Sequence, residues 1–119
     1  MSTLTIQIID EDGLTPSYGA VASGGDQVLN INGDVFVHVK NADATGHTVT
    51  IAAQTTSLNV SGMGAVAKAN QAVAIAAGAE AMIGPFPTRA FNDANNYVQL
   101  TYDAITSVTI AALRLPKAN

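Results

Sequence analysis

Apolar residues in this chain recur at alternate positions, in short runs separated by turns rich in glycine, proline, aspartate and asparagine. Leu4, Ile6 and Ile8 alternate with Thr3, Thr5 and Gln7. A period of two sends successive side chains to opposite faces of an extended strand, so that one face is available for burial. The alternation returns at 27–31, at 35–40, at 47–52 with Val49 and Ile51 in phase, at 73–75 and at 97–102. A last run, 107–115, changes phase from Val108 and Ile110 to Leu113 and Leu115, which predicts a bulge near Ala111 and Ala112. Asn32 followed by Gly33 suits the positive φ angles of a tight hairpin turn. The runs 35–40 and 47–52, joined by the polar loop 41–46, read as a second antiparallel hairpin. The segment 54–70 is the least decided. Leu58 and Val60 suit a short strand, Ser61 to Gly64 a flexible loop, and 65–70 has helix propensity but is too short to stand alone. Pro85 and Pro87 exclude a central strand there, and 89–96 reads as a corner with one helical turn.

These signals predict an all-β chain: a single antiparallel β-sandwich, jelly-roll-like, with about eight short strands and no substantial helix. The 119 residues suit one domain, 1–119, with 1–12 read as an N-terminal strand or arm that contacts a neighbour. There is no linker and no long repeat.

Composition narrows the function. Charged residues are 12% of the chain, about half the usual share. The net charge is −4, and Lys40, Lys68, Arg89, Arg114 and Lys117 are scattered. Tracking a phosphate backbone needs clustered cations, so no nucleic-acid partner is expected. No stretch of about 18 apolar residues exists to span a membrane, and the first residues lack the basic start and apolar core of a secretory signal. The sequon Asn59-Val60-Ser61 is therefore read as chance. With no cysteine, disulfides, thiolate metal sites and cysteine nucleophiles are excluded. A weakly charged surface rich in alanine, threonine and asparagine suits burial against other protein, because little charge is desolvated.

Catalytic chemistry finds little footing. His38 and His47, on the expected hairpin, would share a face, but a metal site needs a third ligand and neither has a carboxylate at useful spacing. Asp10, Glu11, Asp12 and Gly13 lack the oxygen spacing of a calcium loop and read as a solvated turn. No Gly-x-Ser-x-Gly elbow and no phosphate loop appears. Tyr18, Tyr97, Tyr102, Phe36, Phe86 and Phe91 suit core packing better than a sugar platform. Arg89 and Asp93 fall in one corner, where an ion pair would fix the turn and the exposed residues would touch a partner. No catalytic residue, cofactor or metal is expected, and the chain is not expected to be an enzyme.

Several stretches occur in a telling order: 13–18 (GLTPSY), 22–26 (ASGGD), 36–41 (FVHVKN), 83–87 (IGPFP), 89–93 (RAFND) and 108–115 (VTIAALRL). The series resembles a family of small structural proteins of tailed bacteriophages, some of them head decoration or cement proteins. The likeness spans residues 13–115 and is most specific at the Gly-Pro-Phe-Pro and Phe-Asn-Asp corner. It implies a virion protein, made in the bacterial host cytoplasm and placed on the outer surface of the capsid. The partners would be the major capsid protein and further copies of the chain, as a homotrimer on three-fold or quasi-three-fold positions. The resemblance says nothing of the first strand or of 54–70. From its own pattern, the strand with Leu4, Ile6 and Ile8 either pairs within its own sheet or adds to the sheet edge of a neighbour. Leu4, Ile6, Ile8, Arg89 and Phe91 are thus the candidate partner contacts. The rival readings are another virion component (a head–tail adaptor or tail protein), a carbohydrate-binding β-sandwich at the tail tip, and a cupin-like metalloenzyme.

Overall fold

The computed structural model describes residues 2–54, 58–60, 64–66 and 69–116. Residues 61–63 of the expected loop 61–64, and the stretch 67–68, lie outside the described residues. The elements are β1 (Ser2–Thr3), β2 (Ile6–Ile8), β3 (Gly19–Ala20), β4 (Asp26–Leu29), β5 (Val35–Asn41), β6 (His47–Ile51), β7 (Leu58–Val60), β8 (Gly64–Val66), β9 (Gln71–Ile75), β10 (Glu80–Ile83), the short helix α1 (Thr88–Phe91), β11 (Tyr97–Tyr102) and β12 (Val108–Arg114). The chain is nearly all β, and no helix among the described residues is long and apolar enough to cross a membrane.

Two sheets carry the fold. The first has the order β1-β4-β11-β6-β9, and the second β10-β5-β12-β2, with β3 also on β12. Among the described residues β7 and β8 pair only with each other, so 65–66 are extended where the sequence suggested helix propensity, and Gly64 is in a strand instead of the expected loop. One buried cluster takes Val28, Val49, Ile51, Ile75, Val98 and Leu100 from the first sheet, and Val35, Val37, Val39, Ile83, Val108 and Ile110 from the second. The period-two pattern therefore does what alternation demands: each sheet turns one face to a shared core. Each such side chain contributes about 1.5–3 kcal/mol by leaving water.

Both expected hairpins are replaced by crossings between the sheets. β4 and β6 belong to the first sheet, whereas β5 lies in the second, between β10 and β12. Buried side-chain amides hold these crossings. Asn30 donates from Nδ2 to the Phe86 carbonyl at 2.9 Å, which binds the Asn32–Gly33 turn to the 84–88 segment. Asn41, 1% exposed, donates to the carbonyls of Thr45, Ile75 and Ala76 at 3.0, 3.1 and 3.3 Å. A strand whose last residue is held this way leaves its sheet instead of turning back on itself.

The predicted bulge is absent. β12 runs in unbroken register with β5 from Val108 opposite Asn41 to Arg114 opposite Val35. Ile110, Ala111, Ala112 and Leu113 are all buried because both faces of this strand are covered, and a strand buried on both sides loses its alternation. Inward, Ile110 and Ala112 join the core. On the other face Tyr18 packs edge-on against His38, the residue opposite Ala111, and the connector before it is fastened by Gln7, which donates to the Ser17 carbonyl at 2.8 Å and accepts from the Ser17 amide at 2.9 Å.

The sheets are mixed, not purely antiparallel. The expected first strand divides at Leu4 and Thr5. β1 adds in parallel to β4, and β2 in parallel to β12, so one short arm closes an edge of each sheet. At the corner, Phe86 and Phe91 meet edge to face with centroids 6.0 Å apart. Asp93 accepts from the amides of Asn95 and Tyr97 and from Gln99 Nε2. These bonds, that from Tyr97 first, hold its carboxyl below the usual carboxylate range.

Candidate functional site

The two histidines sit on different sheets, and each has acidic company that the sequence spacing did not reveal. His47, on β6, is buried between two aspartates. Its Nε2 lies 2.8 Å from Asp43 Oδ2, and its Nδ1 lies 3.3 Å from Asp103 Oδ1. Asp43 belongs to the loop after β5, and Asp103 to the turn after β11. The imidazole thus clasps two loops together. Because the aspartates use opposite ring nitrogens, the three groups do not converge on one point as metal ligands would. Among the described residues no group of three or more histidine, aspartate or glutamate side chains is placed to hold a metal.

The hydrogen bond with Asp43 raises the His47 pKa above its ordinary 6.5 against the opposing effect of burial, with Asp103 adding attraction. The same bond lowers Asp43. Asp103 is lowered first by backbone hydrogen bonding from Thr48. A raised histidine stabilises the fold fully below 6.5, and that contribution fades as pH rises through the raised value. Lowered aspartates stabilise fully above 3.8 and fade as pH falls through the lowered values. The clasp is therefore complete between these limits. We expect the stability difference between the wild type and His47→Gln to be greatest near pH 5–6 and to shrink toward pH 9. Urea denaturation across that range measures it, and a difference independent of pH would refute the charged clasp.

His38, on β5, faces away from the core with Phe36 and Lys40. The Tyr18 hydroxyl lies 2.6 Å from its Nδ1, and Glu80 Oε1 lies 3.3 Å from its Nε2. The Lys40 ammonium stands 4.0 Å above the Tyr18 ring. A phenol–imidazole–carboxylate chain has the parts of a proton relay. Here it ties the end of the connector to the outer face of the second sheet, and none of its three residues lines either hollow described next. Asp26 and Tyr102 make a third cluster. The phenol donates to Asp26 Oδ2 at 2.6 Å, and burial, then the carboxylate, push the Tyr102 pKa far above its ordinary value.

Two hollows open at the surface. One, of about 420 Å³, lies where β2 and β3 leave a gap along β12, with Thr3, Gln7, Ser17, Asp26 and Ala111 among its walls. The other, of about 510 Å³, is more apolar in its walls. It lies between the arm and the body, lined by Ile6 and Ile8 of β2 and by Leu29, Ile31, Val35 and Pro116, with Asp34 and Arg114 at 3.8 Å across its polar side. Ile8 is 46% exposed and Ile31 60%.

The expected contact residues divide accordingly. Leu4 and Ile6 are half-buried against the chain's own core. Ile8 reaches the surface beside the larger hollow, and Arg89 is exposed on α1. Phe91 is buried and serves the corner. Sequence reading missed Ile31. Its signal was a large apolar residue set directly before a turn-forming Asn-Gly, where alternation gives it nothing to pack against. No family model matches the chain, and comparison with curated proteins and solved structures found no match.

Proposed function

We propose that this chain is a non-enzymatic virion protein of a tailed phage that decorates the head: it binds the outer capsid lattice, as a trimer, and bridges neighbouring capsid subunits. The observation that carries the reading is the apolar rim of the larger hollow. Ile8 and Ile31 stand partly in water beside a concave apolar wall that Ile6, Leu29 and Val35 complete, and exposed apolar clusters of this kind mark protein contact sites. The polar side chains give complementary support. Both histidines, Asn30, Asn41, Asp93 and Tyr102 are engaged within the fold. The resemblance carried by the 83–93 corner supplies the class of partner.

Strand order supports the finer, jelly-roll reading. With β1, β2 and the β7–β8 ribbon set aside, eight strands remain: β3, β4, β5, β6, β9, β10, β11 and β12. Counted in that order, the sheets run 1-8-3-6 and 2-7-4-5, all antiparallel. That order is the one of a jelly roll, an architecture that recurs in viral capsid and lectin domains. Function still has to be argued from the surface. A body that binds the assembled lattice but not its separated parts stabilises the lattice by mass action.

The test is to mix the purified protein with undecorated, expanded heads. We expect saturable binding at many copies per head and a higher melting temperature of the heads. The variant Ile31→Asp should keep its own melting temperature, since that side chain is mostly exposed. Its binding should weaken by about 10- to 100-fold. Wild-type protein that neither binds nor protects the heads would reject the proposal.

A further inference from the structure

The arm, residues 2–9, pairs along one edge of each sheet, and its Leu4 and Ile6 side chains pack against the core between them. Ser2 and Thr3 stand in register with Asp26 and Gln27; Ile6, Gln7 and Ile8 stand in register with Ala112, Leu113 and Arg114. The Ser2 amide donates to the Gly25 carbonyl, that of Leu4 to Gln27 and that of Ile9 to Arg114. Gln27 Nε2 donates to Thr3 Oγ1 at 2.9 Å. Nothing in this set requires that the arm and the body belong to one polypeptide.

The path out of the arm is indirect. β2 runs parallel to β12 and so heads away from β3, which pairs further back on the same edge, at Thr109 and Ile110. The connector must therefore reverse. It does so at 10–13, where the Gly13 amide donates to the Asp10 carbonyl and the Asp12 amide to Asp10 Oδ1. That tight turn holds Asp10, Glu11 and Asp12, three adjacent exposed carboxylates. Their mutual repulsion favours an extended segment over a closed one.

We propose that residues 2–9 are an exchangeable arm: β1 and β2 of one copy occupy the β4 and β12 edges of a second copy, with 10–13 as the hinge. Exchange keeps every arm contact named above, including the two bonds between Gln7 and Ser17, and costs only the bonds of the turn. It also relieves the crowding of like charge. It makes the larger hollow a composite of two chains, because Ile6 and Ile8 then come from the neighbour while Leu29, Ile31 and Val35 belong to the body. Swapping an identical element in this way is a low-cost route to an oligomer. The proposal concerns self-association and does not rest on the capsid reading.

The chain contains no cysteine, so a designed disulfide reports without background. In the double variant Thr3→Cys/Gln27→Cys, oxidised at high protein concentration, an exchanged arm gives covalently closed dimers or a closed trimer on a non-reducing gel. An internally bridged monomer as the main product at the highest concentration reached would overturn the proposal. Single variants provide a check independent of the folding of the double. Thr3→Cys refolded together with Gln27→Cys should give the mixed disulfide in excess over both symmetric ones; statistical pairing would overturn the proposal as well. Neutralising the hinge (Asp10→Asn, Glu11→Gln, Asp12→Asn) should return the double variant toward the monomer, whereas an unchanged ratio would remove the hinge from the mechanism.

Discussion

Replacing Asn41 with aspartate is expected to lower the unfolding free energy by roughly 4 kcal/mol at neutral pH, and replacing it with alanine by about 2–3 kcal/mol. Asn41 ends β5 in an almost completely buried position. Its Nδ2 serves three backbone carbonyls, those of Thr45, Ile75 and Ala76, and its Oδ1 accepts from the Asp43 amide at 3.1 Å. Alanine leaves those carbonyls without their donor. Aspartate is worse, because it aims a second acceptor, and a charge, at three acceptors. Once protonated, that carboxyl regains one donor, so the deficit of the aspartate variant should narrow between pH 7 and pH 4. Urea denaturation at the two pH values measures both effects. An aspartate variant within 1 kcal/mol of the wild type at neutral pH would mean that this amide does not hold the crossing.

Gly25→Ala should cost about 3 kcal/mol or more. Gly25 has φ near +94°, and a Cβ built on it would lie 2.6 Å from the Leu100 carbonyl oxygen. Leu100 is fully buried in β11, between β4 and β6, so that oxygen cannot withdraw without disturbing three strands. Gly13 supplies the control. It has the same φ, yet nothing lies within 4 Å of its Cβ position. Gly13→Ala should therefore show only the backbone penalty, about 1 kcal/mol. Thermal unfolding of the two variants separates conformational strain from collision. Equal losses would show that the close approach to Leu100 is not what selects glycine at 25.

The strands were legible because burial on one face writes itself into the residue order. The run 97–102 is β11 residue for residue, and the single turn of helix lies in the expected corner. Their partners were not legible. Asn32-Gly33 carries a real local preference, yet it cannot reveal that Asn30 two residues earlier will bond Phe86 across the core. The last run seemed to change phase because alternation reports one buried face, and β12 has two. The histidine environments failed for a similar reason: Asp103 and Glu80 are far from His47 and His38 in sequence and arrive only through strand pairing. The arm was seen as a strand, but its division between two sheets depends on edges that 2–9 cannot specify.

One consequence reaches into the making of the protein. β12 lies inside the second sheet, between β5 on one side and β2 and β3 on the other, although it is translated after all of them. Until residues 108–114 emerge from the ribosome, Val37 and Val39 belong to an unfinished layer, and neither β2 nor β3 has its own pairing partner. Such remote pairings close slowly, in milliseconds to seconds, and leave apolar surface uncovered while they wait. Nascent chains should therefore remain substrates for holding chaperones until this stretch is free, and acquire protease resistance abruptly after that.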